Sequence, residues 1–232
     1  MIINFMTFNI QSCHNYYTRE IDIPLMVDTI KKCRGEIIGL NEVYGAGGTK
    51  PAQAEAIARE LGYYCYFGPA IIHKGRPYGN ALISKYPWTQ IETIAIPDPV
   101  RNTDEYYESR VIIKASFSNP DFTVLISHFG LAASEQINAV RTVVNLIKQV
   151  TTPIILMGDF NIEPDNEKLK PFFTLLNNTY NKEVPSFPSG EPKRRIDYIF
   201  VSSDIEVLSA AIVPLVASDH LPHTATLKIP IK

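Results

Sequence analysis

The sequence predicts an α/β fold in which two β-sheets pack face to face with helices on the outside. Three observations lead there. Strand-like runs outnumber helix-like ones, apolar periods of both 2 and 3.6 residues occur, and strand-helix-strand units open both halves of the chain. With 232 residues, 45% of them apolar, the chain can bury one large core. No low-complexity stretch suggests a tail or linker, so residues 1–232 are read as a single domain.

The elements follow in order. Residues 2–10 are rich in β-formers and predict a strand, and residues 19–32 place Ile23, Met26, Val27 and Ile30 at helical spacing. Ile37, Ile38 and Leu40 make a short apolar run that ends at Asn41 and Glu42, after which Pro51 opens a helix that Gly62 closes. Between residues 63 and 93, short β-like runs broken at Gly68, Gly75, Gly79 and Pro87 predict hairpins. Val111–Phe117 and residues 122–127 are two further strands, turned at Asn119 and Pro120. A helix over residues 134–149 carries Ile137, Val140, Val143, Val144 and Ile147 on one face with Ser134 as its N-cap, and it leads into a strand at 154–157. Strands near 196–201, 205–213 and 223–229 complete the pattern. Residues 97–109 form an acidic, tyrosine-bearing loop that carries Asp98, Asp104, Glu105 and Glu108.

Bulk charge narrows the partners. Twenty-two basic residues against 24 acidic ones leave a net charge of −2, so no chain-wide positive field draws the protein to nucleic acid or anionic lipid. Cys13, Cys33 and Cys65 are isolated and lack the C-x-x-C spacing of a zinc or redox site, which suits a reducing compartment. No basic segment precedes the first strand, and no apolar run approaches the roughly 20 residues of a membrane helix. A cytoplasmic monomer without a transmembrane segment is the expectation.

Polar residues recur where the apolar strands end: Asn9, Glu42, His128, Asp159 with Asn161, Asp197, and Asp219 with His220. Strand ends are where a rigid sheet can hold a site. Singly, each has a structural explanation as a turn former, cap or solvated carboxylate. Jointly they meet the separate demands of phosphate-ester hydrolysis. A hard divalent cation needs oxygen ligands, which Glu42, Asn9 and Asp219 offer. A water needs a base, and His220 held by Asp197 offers one. A leaving alkoxide needs a proton or positive charge, for which His128 is available with Glu108 as its candidate partner.

The motifs that hold these residues are Thr7-Phe8-Asn9, Leu40-Asn41-Glu42, Gly158-Asp159-Phe160-Asn161, Arg195-Ile196-Asp197-Tyr198 and Ser218-Asp219-His220. In this order they resemble the motifs of the endonuclease/exonuclease/phosphatase superfamily, over essentially the whole chain. The resemblance implies a four-layer α/β sandwich, two packed mixed sheets flanked by helices. It implies Glu42 as the principal Mg²⁺ ligand, with Asn9 and Asp219 near the metal and Mn²⁺ or Ca²⁺ as substitutes. Asp159 and Asn161 would position the attacking water and the phosphate. His220, oriented by Asp197, would be the general base, and His128 the general acid or a phosphate stabiliser; the two histidine roles are interchangeable between views of the superfamily. Glu108 in Glu108-Ser109-Arg110 resembles the glutamate that orients that histidine in the deoxyribonuclease-like branch. Asn41, Ser127 and Phe129 depart from the commoner Gln, Thr and Leu without removing a catalytic group. His223 stands where an apolar residue is usual and is assigned to the start of a strand.

The substrate is less legible. Asn80 fits either a donor to a phosphate oxygen or a structural turn, and Arg110 either a phosphate ligand or a partner for Glu108. Lys193, Arg194 and Arg195 form the one basic cluster. A small or lipid-like phosphoester, cleaved as a diester, is the favoured substrate. A DNA endonuclease or exonuclease is the alternative, and it predicts a basic stripe for which the composition gives little sign. A non-catalytic binding module ranks below both, since no ligand or base is missing. A zinc enzyme fails on ligand type.

Overall fold

The strands that flank the predicted site are apolar on both faces, which a strand requires only when both faces are covered. In β1 (Ile2–Asn9), Ile3 and Phe5 enter one core cluster while Met6 and Phe8 enter another. The same split recurs in β2 (Ile37–Tyr44), β7 (Phe122–His128), β8 (Ile154–Asp159) and β10 (Asp197–Val201). The computed structural model, which describes residues 1–101, 105–182 and 184–231, shows what covers them.

Among the described residues, two mixed six-stranded sheets pack against each other. The first runs β11 (Glu206–Ile212), β12 (His223–Lys228), β1, β2, β4 (Arg76–Ser84), β3 (Tyr64–His73). The second runs β5 (Gln90–Ala95), β6 (Val111–Phe117), β7, β8, β10, β9 (Asn177–Asn178). Ile3, Phe5, Ile37, Ile126, Ile155, Met157 and Ile199 fill the space between the sheets. The outer face of the first sheet meets α1 (Ile23–Cys33) and α2 (Gln53–Leu61), and that of the second meets α3 (Ala133–Ile147) and α4 (Lys170–Leu175). The fold is the four-layer α/β sandwich. No helix among the described residues is long and apolar enough to cross a membrane.

Two parallel pairs position the site. β1 returns through α1 to lie parallel to β2, and β7 returns through α3 to lie parallel to β8; the other pairings are antiparallel. A parallel pair puts both of its C-terminal ends on one edge. Asp22 caps α1 by accepting from the Leu25 N–H at 3.0 Å, and Pro24 fits its first turn. Gly62, left-handed at φ 70°, closes α2, which starts at Gln53, two residues after Pro51.

The third helix corrects two expectations. Its N-cap is Ala132, not Ser134, and the Glu135 carboxylate reaches back to the Ala132 N–H (3.3 Å) to supply the missing acceptor. Ile137 is 46% exposed. The inward stripe is Gln136, Ala139, Val140, Val143 and Ile147, because Gln136 is drawn inside by carbonyls of Gly130 and Asn161, with Lys168 on its amide oxygen. The acidic loop has neither helix nor strand over residues 97–101 and 105–109, and Asp104 lies outside the described residues.

Candidate active site

The register of the strands delivers the predicted residues in rows. Asn9 lies opposite Asn41 at the end of the first parallel pair, and His128 lies opposite Asp159 at the end of the second. Asp197, the first residue of β10, is the partner of Asp159 on its other side. His128, Asp159 and Asp197 therefore stand side by side across three strands. His220 and Asp219 arrive on the segment just before β12.

Asp159 is the hub. Its Oδ2 accepts from Asn9 Nδ2 at 3.1 Å and lies 3.4 Å from His128 Nε2 and 3.5 Å from His220 Nε2. Its Oδ1 accepts from the Asn161 N–H (2.9 Å), which turns the chain so that Asn161 Nδ2 sits 3.1 Å from His128 Nε2. That turn holds Asn161 left-handed at φ 52°, and Glu42 is left-handed at φ 59°. Non-glycine residues in this region mark places where geometry is held at a cost.

His220 Nδ1 meets Asp197 Oδ2 at 2.8 Å, and Ser186 Oγ donates to the same oxygen at 2.6 Å. Phe187 packs on the imidazole with ring centroids 4.7 Å apart. Burial disfavours the charged ring, but Asp197, Asp159 and Asp219 outweigh it and push His220 up to about 10. Burial, reinforced by Asp197 and opposed by His220, pushes the Asp159 carboxyl up to about 7. His128 goes the other way: burial, Arg110 and His220 all hold it well below the ordinary imidazole range.

Toward the opening of the site stand Glu42, half-buried, and Asp219. Asn9 Nδ2 donates to Glu42 Oε1 (3.0 Å), and Gln11 Nε2 donates to Asp219 Oδ2 (2.7 Å). Burial and the nearby Glu42 charge raise the Asp219 carboxyl, against His220. Asn9 gives its Oδ1 to the Gln11 N–H, so its amide nitrogen, not its oxygen, faces the carboxylates. As placed, Asn9 orients Glu42. Gln11 Oε1 is a buried oxygen with no hydrogen-bond donor. Two neighbouring carboxylates and an orphaned amide oxygen form an oxygen-rich set that fits a hard divalent cation. Asp159, Asp197 and His220 are also close enough to ligate one ion, with ligand atoms within 4.8 Å of one another. There, however, the imidazole Nδ1 and Asp197 Oδ2 are already spent on each other, which leaves that trio better suited to protons.

A family model of endonuclease/exonuclease/phosphatase proteins matches residues 6–220. The chain belongs to the endonuclease/exonuclease/phosphatase family. It is thus an enzyme of the phosphoesterase and nuclease kind. The protein YbhP of Escherichia coli strain K12, itself uncharacterized, is 22% identical over 97% of this chain and 95% of its own length. A family member from Beutenbergia cavernae superposes with a TM-score of 0.77 at 22% identity, covering 98% of this chain and 72% of that one. A mannosyl-6-phosphatase of Bacteroides thetaiotaomicron gives 0.79 at 15% identity, covering 98% of this chain and 100% of that one. At these identities the two superpositions establish the fold.

Within this member of the endonuclease/exonuclease/phosphatase family, the contact predicted for Glu108 takes another form, and the alternatives left open for Arg110 and Asn80 resolve toward protein partners. Glu108 does not touch His128. It pairs with Arg110 Nη1 (2.8 Å), and Arg110 Nη1 lies 3.0 Å from His128 Nδ1, so the arginine stands between them. Arg110 is thereby engaged by protein groups. Asn80, 3% exposed, donates from Nδ2 to the Val111 carbonyl (3.1 Å) and accepts at Oδ1 from Asn41 Nδ2. The basic cluster is likewise occupied: Lys193 pairs with Glu191, Arg194 with Glu163, and Arg195 with carbonyls of Tyr180 and Lys182. His223 begins β12 as expected and is fully buried against the Asp197 carbonyl.

Sequence reading missed Gln11, Asn41 and Ser186 as working parts. Asn41 Nδ2 donates to Asn80 Oδ1 (2.8 Å) and the Ser127 carbonyl (3.2 Å), while its Oδ1 accepts from the Asp159 N–H (3.0 Å). It ties the two parallel pairs together. The available signal was its position inside Leu40-Asn41-Glu42; Ser186 had none, because the loop between β9 and β10 carries no pattern.

Proposed function

We propose that the protein is a Mg²⁺-dependent hydrolase of phosphodiester bonds, acting on a small or lipid-like phosphoester. The observation that carries this is the convergence on one buried carboxylate, Asp159 Oδ2, of Asn9, His128 and His220 from three separate segments. Nothing in sheet packing requires two histidines and an amide to meet there, and hydrolysis of a phosphoester does.

In this reading Glu42 and Asp219 hold the cation, with Asn9 and Gln11 orienting them, and Mn²⁺ or Ca²⁺ can substitute. When bound, the cation supplies positive charge to the phosphoryl oxygens of the substrate. Asp159 and Asn161 position the attacking water and the phosphate for in-line displacement. In its unprotonated form His220, oriented by Asp197, takes the proton of that water, and His128 addresses the phosphate. Ser186 and Phe187 fix the orientation of the Asp197–His220 pair.

The choice of a small substrate rests on charge. The net charge is −2, and the basic cluster is three residues of which Arg195 is turned inward onto backbone carbonyls, so that cluster forms no long stripe of cations for a nucleic-acid backbone. The likeness to a mannosyl-6-phosphatase accords with a small substrate. The test is hydrolysis, with Mg²⁺ and with EDTA, of bis-p-nitrophenyl phosphate, p-nitrophenyl phosphate, plasmid DNA, an abasic-site duplex, sphingomyelin and an inositol phosphate, with His220→Ala as control. Metal-dependent turnover of a small or lipid ester, lost in the variant, is expected. Preferential turnover of the DNA substrates would replace the substrate assignment, and no turnover of any would overturn the reading.

A further inference from the structure

Arg110 poses a chemical question. A guanidinium has five N–H donors and no acceptor, and it stays charged throughout the physiological range. Its Nη1 lies 3.0 Å from His128 Nδ1 and 2.8 Å from Glu108 Oε1, with the Arg110 and Glu108 side chains each 11% exposed. A contact of that length between a donor-only group and a ring nitrogen is favourable only if the nitrogen carries a lone pair. An imidazolium, or a neutral ring protonated at Nδ1, would set N–H against N–H in a buried place.

The proton of the neutral ring is then on Nε2, and a carboxylate lies near that atom. Asp159 Oδ2 is 3.4 Å away. Asn161 Nδ2, 3.1 Å from Nε2, spends one of its two N–H groups on the Phe129 carbonyl at 3.0 Å and competes with Arg110 for the ring through the other. A charged donor outcompetes a neutral amide for the single lone pair of the ring. The charged and titratable groups around His128 are thus Arg110 on one side, Asp159 on the other, and His220 across the shared carboxylate.

The clamp is braced from behind. Tyr106 Oη donates to Glu108 Oε2 (2.8 Å), and the Glu108 N–H is held by Glu135 Oε1 (2.7 Å), whose other oxygen caps α3. Glu108 acts on Arg110, and Arg110 acts on the ring.

We propose that Arg110 is a positioning residue that locks His128 as the neutral Nε2–H tautomer. His128 then donates a hydrogen bond to a phosphoryl oxygen and does not give its proton to the leaving group. This rests on the phosphoesterase reading for the identity of the oxygen, and on geometry alone for the tautomer. The proton balance follows. The Nε2–H bond of His128 survives the reaction, since breaking it would leave an imidazolate, and the departing oxygen takes its proton from solvent water.

The first test needs no catalysis. Imidazole ¹⁵N correlation spectra of the wild-type protein, with His128 assigned by its loss in His128→Gln, should show Nε2 protonated and Nδ1 bare at about pH 7 and down to about pH 5.5. A doubly protonated ring, or Nδ1–H, at about pH 7 would overturn the proposal even if every substrate is turned over. Conversely, the expected tautomer with no turnover would overturn only the phosphoesterase reading. In Arg110→Met the ring should titrate higher than in the wild type, with burial and His220 still holding it below the ordinary imidazole range, whereas Arg110→Lys, still donor-only, should keep the tautomer. The second test compares aryl esters whose leaving groups differ in basicity. The His128→Ala loss in kcat, about 10²-fold on the scale of a lost transition-state donor, should be the same for p-nitrophenyl and phenyl esters. A loss that grows with leaving-group basicity would identify His128 as the proton donor and refute its proposed role.

Discussion

The two parallel strand pairs make the same shape and present different side chains. Each is a strand, a crossover helix and a parallel strand, and each ends in two polar residues at matched register. The pair β1/β2 leaves its carboxylate, Glu42, half-buried on a left-handed backbone at the opening, with the Asn9 amide on one oxygen and the Asp219 carboxylate nearby. The pair β7/β8 buries both of its residues, His128 at 4% and Asp159 at 1% exposure. A cation site needs open access and oxygen ligands, whereas proton handling needs burial that moves titrations toward neutrality. The difference teaches that one backbone device can present ionisable side chains at different depths below the surface, and that depth sets which chemistry they suit.

The largest effects should separate the halves. Asp159→Asn and Glu42→Gln should each lower kcat/KM by about 10²–10⁴-fold, the range of a lost acid-base group or electrostatic stabiliser. Raising Mg²⁺ should recover part of the Glu42→Gln loss and none of the Asp159→Asn loss, as read from steady-state rates across a Mg²⁺ titration. Equal recovery would erase the division of labour. Next comes the tie between the pairs. Asn41→Leu leaves the Asp159 N–H and the Asn80 and Ser127 oxygens without their partner, and should cost about 3 kcal/mol in urea unfolding, the scale of two or three unmet buried groups.

Acid should act first beneath the second pair. Burial and Arg195 push His223 down to about 4, so the native state refuses a proton that the unfolded chain accepts at about 6.5. Stability is unaffected by this group above that pH and falls as pH drops from about 6.5 toward 4, by up to about 3 kcal/mol. Urea midpoints at pH 7 and pH 5 should diverge less in His223→Leu than in the wild type. The smallest effect compares the crossover helices. Asp22→Ala should cost about 1 kcal/mol because its carboxylate caps α1, while Ser134→Ala should stay within about 0.5 kcal/mol because it caps nothing. Thermal melts of the two variants check this.

The layered fold was legible because period-two and period-3.6 patterns report burial directly, and the apolar faces of β1, β2, β7 and β8 had no other use. Strand ends were legible for the same reason: Asn9, Glu42, His128 and Asp159 are polar residues where apolar alternation stops. What stayed hidden depends on partners distant in sequence. Asn41 reads as a departure from a motif until Asn80, Ser127 and Asp159 surround it. Glu108 and Arg110 were both in view, but spacing cannot tell which of them meets the histidine. Ile137 failed as a core position because Gln136 satisfies loop carbonyls and so turns inward, a gain invisible to a hydrophobic count.

The left-handed backbone at Glu42 has a consequence for how this protein tolerates change. A glutamate held at φ 59° costs about 1 kcal/mol that glycine does not, and its charge raises the neighbouring Asp219. Removing the side chain relieves both burdens at once. In a library screened only for survival at high temperature, glycine at position 42 should be enriched, and the winners should be inert. If Glu42 holds the cation as proposed, heat resistance and turnover draw on the same residue with opposite sign, and an effort to toughen this enzyme must hold position 42 fixed.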